Sequence, residues 1–116
     1  MECLHEDAEG VRIIRLSGRM DLQGNEQIAL RFNALTISGP PAIIVDLSEV
    51  EFLSSLGIST LVTGAKTARH RRGVLALCAA RPNVLSALER TNLTAIIPTC
   101  ITEDEARVLV ATPAES

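Results

Sequence analysis

"AIIVDLSEVEFLSSLGISTLVTGAKTARHRRGVLALCA", residues 42–79, is the stretch on which the fold turns. Its first six residues, 42–47, are a short, almost continuous apolar run, the mark of a strand covered on both faces. Asp46 is expected to end that strand and to hydrogen-bond the loop after it. From Ser54 or Ser55 the pattern changes: Ile58, Leu61, Val62, Ala65 and Ala68 fall on one stripe at helical spacing. Lys66, Arg69, Arg71 and Arg72 close this helix, placing cations at the negative end of its dipole, and Gly73 is the expected C-cap. "VLALCA", residues 74–79, is then a second buried strand. A strand, a helix and a strand in this order predict a parallel pair, because parallel neighbours need a crossover element.

The same reading extends in both directions. "CLHEDAEG", residues 3–10, fits a first strand with a turn ending at Gly10, and residues 11–17, "VRIIRLS", fit a half-exposed partner, so the chain opens as a hairpin. "GRMDLQGNE", residues 18–26, reads as a polar loop. It leads into an amphipathic helix over 25–38, carried by Ile28, Phe32 and Leu35 and stopped by Gly39, Pro40 and Pro41. Downstream, residues 81–92 predict a helix with Pro82 in its first turn, and "TAIIP", residues 94–98, predicts a short final strand. Thr102 and Glu105 have capping-box spacing and open a last helix. The expected order is β-β-α-β-α-β-α-β-α: an α/β fold with a mostly parallel sheet. Its 116 residues suit one domain, 1–116.

Composition excludes several classes of function. The chain is 47% hydrophobic and 22% charged, enough for a core, and with neither Trp nor Tyr that core is aliphatic. A net charge of −3 and the near-absence of aromatics argue against direct nucleic-acid binding. The one basic run, "KTARHRR" at 66–72, reads as a solvated helix end. Cys3, Cys78 and Cys100 are odd in number and far apart, which suggests neither a disulfide framework nor a metal site. Cys78 is most simply a small buried hydrophobe. Free thiols, no signal peptide and no apolar run near the ~18 residues of a membrane span point to the cytoplasm. No cofactor is implied.

Chemistry must then come from the turn before the second helix. The pattern around Ser54 and Ser55 lacks the G-x-S-x-G of a nucleophile elbow, and neither His5 nor His70 is locally tied to a serine. No phosphate-binding loop with its lysine occurs, and no enzymatic activity is expected. A serine at a helix N-cap stabilises the helix by roughly 0.5–2 kcal/mol relative to alanine, a sufficient reason for either one. The same geometry tolerates a phosphate, because backbone N–H groups at a helix start favour an anion. Such a phosphate would plant about −1.5 to −2 charge on the surrounding surface.

Against this background the chain resembles the STAS domains, and among them the stand-alone bacterial anti-sigma factor antagonists. The likeness rests on "LSGRMD" at 16–21, "IIVDLSEVEFLSSLGISTL" at 43–61, "GVLALCAARPNVLSALERTNL" at 73–93 and the tail "IIPTCITEDEARVL". The resemblance implies a regulatory binding module in a partner switch. Family members bind an anti-sigma factor, a serine kinase with a histidine-kinase-like ATPase fold, and so free a sigma factor. Phosphorylation of a serine at the start of the second helix breaks that complex, and a serine phosphatase restores it. Gly18 and Asp21 match the glycine and aspartate of the family's neighbouring loop, with Met20 in place of leucine.

One departure stands out. The family's usual loop reads Asp-Ser-Ser-Gly, and its acceptor is the serine before the glycine. Here those positions are Ser54, Ser55, Leu56 and Gly57, so a leucine occupies the acceptor position. Three readings follow: phosphorylation at Ser55, phosphorylation at Ser54, or an unphosphorylated binder. The resemblance places the partner surface on Asp21, Ser54, Ser55, Leu56 and Gly57. In it Asp21 meets the kinase or its nucleotide environment, Leu56 anchors the partner or packs under the following loop, and Gly57 permits close approach or merely accommodates packing. Rival functions are a STAS subunit docking on the ATPase of a membrane lipid transporter, or a scaffold component.

Overall fold

The computed structural model describes residues 1–111. β1 (Glu2–Ala8) and β2 (Val11–Met20) pair antiparallel. The two residues between them, Glu9 and Gly10, have φ of 54° and 79°. Two left-handed residues in a row make the turn whose twist matches that of the flanking strands, and glycine adopts it without strain. There follow α1 (Leu22–Ile37), β3 (Ala42–Leu53), α2 (Ser55–His70), β4 (Val74–Cys78), α3 (Pro82–Arg90), β5 (Thr99–Cys100) and α4 (Glu103–Ala111). The sheet runs β1-β2-β3-β4-β5 and is parallel from β2 onward. This is the α/β order that the sequence predicts.

Alternation along the central strands feeds two cores. Ile14, Leu16, Ile43, Val45, Leu75 and Leu77 face α1, α2 and α3, which contribute Ile28, Phe32, Leu61, Ala65, Val84 and Leu88. Ile13, Ile44, Ala76 and Cys78 face the opposite way, where Ala106 and Val110 of α4 cover them. Each fully buried Leu, Ile or Phe contributes roughly 1.5–3 kcal/mol, so the three-helix face carries most of the stabilisation. Burial, then the nearby Asp46 charge, push the Cys78 thiol up to about 12, consistent with an inert packing residue.

Several boundaries differ from expectation. β2 and β3 run on to Met20 and Leu53, so residues 18–20 are strand, and α1 starts at Leu22 rather than Asn25. Asp46 does not end β3. It marks where β3 parts from β4, their pairing stopping at Asp46↔Cys78, and where the register against β2 slips. Polar, exposed positions in 48–52 masked the continuation, because past Asp46 the strand pairs only with β2. Residues 94–98 are not a strand: Leu93–Ala95 form a 3-10 turn, and the final strand is Thr99–Cys100. The cap of α2 also shifts by one residue. Arg72 takes the left-handed position, at φ 64°, with Arg72 N–H on the Arg69 carbonyl and Gly73 N–H on that of Ala68. Gly73 is required for another reason, since a Cβ there would lie 2.1 Å from the Pro41 carbonyl oxygen.

Charged groups tie the layers together. Arg15 on β2 donates to Asp46 at 2.7 Å, to Glu103 of α4 at 2.9 Å and to Glu6 of β1 at 2.6 Å. Burial works to raise the Asp46 pKa, but hydrogen bonds from Ser48 and the Arg15 guanidinium outweigh it and hold the carboxyl below its ordinary 3.8. A carboxylate lowered in this way stabilises the fold while ionised and loses that contribution as pH falls through its folded pKa. Urea unfolding midpoints are therefore expected to drop below about pH 4, and to drop less steeply in Asp46→Asn. Identical pH profiles for the two proteins would remove Asp46 from this role.

Candidate functional site

β2 and β3 end side by side, and each feeds a helix through a single capping residue. Asp21 caps α1, its Oδ1 accepting the Gly24 N–H at 2.8 Å. Ser54 caps α2, its Oγ accepting the Gly57 N–H at 3.2 Å. Both are side-chain caps of the kind that satisfy otherwise unpaired N–H groups. The Met20 carbonyl accepts twice from Ser54, from its N–H at 3.0 Å and from its hydroxyl at 2.7 Å. Deeper in, the Thr60 hydroxyl donates to Asn25 Oδ1 at 2.6 Å, joining α1 to α2 in a buried contact. Two helix N-termini, each carrying partial positive charge, thus open onto one surface.

The predicted residues separate on this surface. Asp21 and Ser54 are half-buried with their polar atoms engaged. Ser55 is exposed, and Leu56 stands 42% exposed beside it, not packed under the loop. Gly57 is buried: a Cβ there would meet Met20 Cγ at 2.8 Å and Leu53 Cδ1 at 2.9 Å, so its absent side chain lets α2 close on the sheet.

The sequence reading passed over three neighbours. Leu22, the first residue of α1, is 62% exposed, and Phe52, at the end of β3, is 38% exposed. The Arg19 guanidinium lies 4.7 Å from the Phe52 ring centroid and 3.7 Å from Asp21 Oδ2. An exposed cation over an aromatic face is worth about 0.5–1 kcal/mol and fixes both side chains. Phe52 was legible as an apolar residue at a polar strand end. Arg19 and Leu22 gave no local signal, since their placement follows from β2 reaching Met20.

Exposed apolar side chains beside two helix N-termini suit this surface to contact with a protein partner. Among the described residues neither serine shares a hydrogen bond with a histidine or carboxylate, and His70 lies at the other end of α2, about 22 Å away at 1.5 Å per residue. Among the described residues no group of three or more His, Cys, Asp or Glu side chains is arranged to hold a metal ion. No described helix is long and apolar enough to cross a membrane.

A five-stranded sheet with an antiparallel first pair, and paired helix starts at the ends of β2 and β3, defines a known class. The chain belongs to the STAS family, whose domain matches residues 5–106. It is similar to the crystal structure of an anti-sigma factor antagonist from Mycobacterium paratuberculosis, at 28% identity and a TM-score of 0.83, covering 95% of this chain and 93% of that one. An anti-sigma-factor antagonist (STAS) domain protein from Planctomyces limnophilus is 29% identical, with a TM-score of 0.85 and coverage of 95% and 98%. The anti-sigma F factor antagonist of Paenibacillus polymyxa is 27% identical over 94 residues, 80% of each chain.

The two serines should respond differently to truncation. Ser54→Ala removes a cap and the Met20 clasp and is expected to cost about 1–2 kcal/mol. Ser55→Ala should stay within about 0.5 kcal/mol, as exposed substitutions do. Chemical denaturation of both variants checks this, and equal losses would contradict the assignment.

Proposed function

We propose that this chain is an anti-sigma factor antagonist, a cytoplasmic regulatory module that acts by binding rather than catalysis. It would occupy an anti-sigma factor and so release a sigma factor. The observation that carries this reading is the exposure of Leu22, Phe52, Leu56 and Ser55 at the paired strand ends and helix starts that Asp21 and Ser54 cap. Apolar anchors with a polar rim are what a protein partner needs. Relatives over most of the chain carry the same function in their names.

Ser55 is the better phosphate acceptor of the pair. Its side chain is exposed, whereas the Ser54 hydroxyl both donates to Met20 and accepts from Gly57. A phosphate on Ser55 would sit on the first residue of α2, where the helix dipole tolerates it, while its charge would burden a docking surface that includes Leu56. The fold would survive and the interface would weaken. The partner that fits is a serine kinase of histidine-kinase-like ATPase fold, with a phosphatase to reset the switch. Asp21 would offer the partner Oδ2, the oxygen not used in capping, which pairs with Arg19 in the free chain. Gly57 would act from beneath, setting the height of α2.

Affinity capture from the native lysate, with mass spectrometry of the partners and of peptide 46–66, tests this. The expected result is a histidine-kinase-like ATPase and phosphate on Ser55. A transporter ATPase with that peptide unmodified would replace the sigma-factor reading. Against the captured kinase, Leu56→Ser and Ser55→Glu are each expected to weaken binding about tenfold or more with little change in stability. Unchanged affinity in both would move the interface elsewhere.

A further inference from the structure

The opposite pole of the sheet carries a second feature, independent of the partner surface. A pocket of about 540 Å³ opens where β3 and β4 begin, walled by Pro41, Val74, Pro98 and Leu109, with Arg69 and Arg72 among its lining. Ile96 on its rim is 58% exposed. The pocket lies at the C-terminal end of α2, about 21 Å along the helix from Ser55.

The arginines of "KTARHRR" divide by what they hold. Arg71 is committed to the α1–β3 connection, donating to the carbonyls of Thr36 at 2.8 Å and Ser38 at 3.3 Å and to that of Gly39. Arg69 and Arg72 make no side-chain hydrogen bond or ion pair among the described residues. The helix dipole accounts for cations at this end, but not for their lining an apolar cavity. Arg72 also occupies the left-handed cap position, at φ 64°, where glycine would be unstrained. Arg69 and Arg72 are exposed, so two guanidinium groups without a partner among the described residues stand at the edge of an apolar pocket.

We propose that this pocket binds a single-chain amphipathic anion, a long-chain carboxylate whose head group pairs with Arg69 and Arg72 and whose alkyl chain lies against Pro41, Val74, Pro98 and Leu109. Guanidinium forks match a carboxylate in bidentate fashion. The volume falls in the range of small-ligand sites, with room for an alkyl chain and none for a folded partner. In a chain of net charge −3, two arginines on one rim, unpaired among the described residues, are a local exception that attracts an anion.

The test titrates the full chain with dodecanoate below its micelle threshold, followed by backbone amide NMR and calorimetry. The expected result is saturable binding of one molecule, with shifts at Val74, Ile96 and Leu109 and none at Ser54–Gly57. Arg72→Gly is expected to bind about tenfold more weakly. That variant relieves the left-handed strain and should fold at least as well, so weaker binding would not reflect unfolding. Dodecyltrimethylammonium, with the same tail and opposite charge, should not bind, and acetate should not bind at the same concentration. The proposal is overturned by any of four results: no saturable shifts in the full chain, equal binding of the cationic amphiphile, acetate binding as well as dodecanoate, or undiminished affinity in Arg69→Ala/Arg72→Gly.

Discussion

The Met20 carbonyl holds this structure's working surface together. By accepting both the N–H and the hydroxyl of Ser54, it fastens the start of α2 to the end of β2, next to the start of α1. Everything on that surface inherits its position from this clasp. With the Ser54 hydroxyl spent on Met20 and on the Gly57 N–H, Ser55 is left as the exposed hydroxyl. Because Gly57 lies against Met20 and Leu53, α2 sits close on the sheet, and Leu56 in its first turn stays exposed. The buried Thr60–Asn25 hydrogen bond repeats the link one turn deeper and keeps the two helix starts in register.

Leucine in the position where the family carries its usual acceptor changes the balance of the surface. A hydroxyl there would add little contact area, whereas a 42% exposed leucine adds apolar area that a partner can bury. Under the proposed function, binding and switching would fall to neighbouring residues, Leu56 for affinity and Ser55 for charge. An acceptor at Ser55 rather than at position 56 would point about 100° away around α2, so the proposed kinase would have to approach from a different direction.

The sheet separates two kinds of surface. The ends of β2 and β3 carry the proposed recognition face, built from helix N-termini and exposed apolar side chains. The beginnings of β3 and β4 carry a concave, apolar pocket with arginines unpaired among the described residues, built from the C-terminus of the same helix. α2 spans the distance between them, and its buried stripe of Leu61, Ala65 and Ala68 keeps it rigidly seated on the sheet. Such a division is natural to parallel sheets, in which every strand points the same way and the two ends differ in character.

The order of elements was legible in the sequence because it is written locally. The period-2 and 3.6-residue patterns, the Glu9–Gly10 turn and the Thr102–Glu105 capping box each involve residues close along the chain. The serine pair was legible for the same reason. What local patterns could not decide was how far each strand runs and what lies beside what. β3 continues past Asp46 because β2 accompanies it, a contact between residues about thirty positions apart. Residues 94–98 are as apolar as a strand, but only Thr99 and Cys100 find a free edge on β4. Arg19 reaches Phe52 and Asp21 for the same reason. The sequence by itself determined the periodicities, the caps and an aliphatic core. Tertiary structure decided the surface, because a surface consists of residues that only packing brings together.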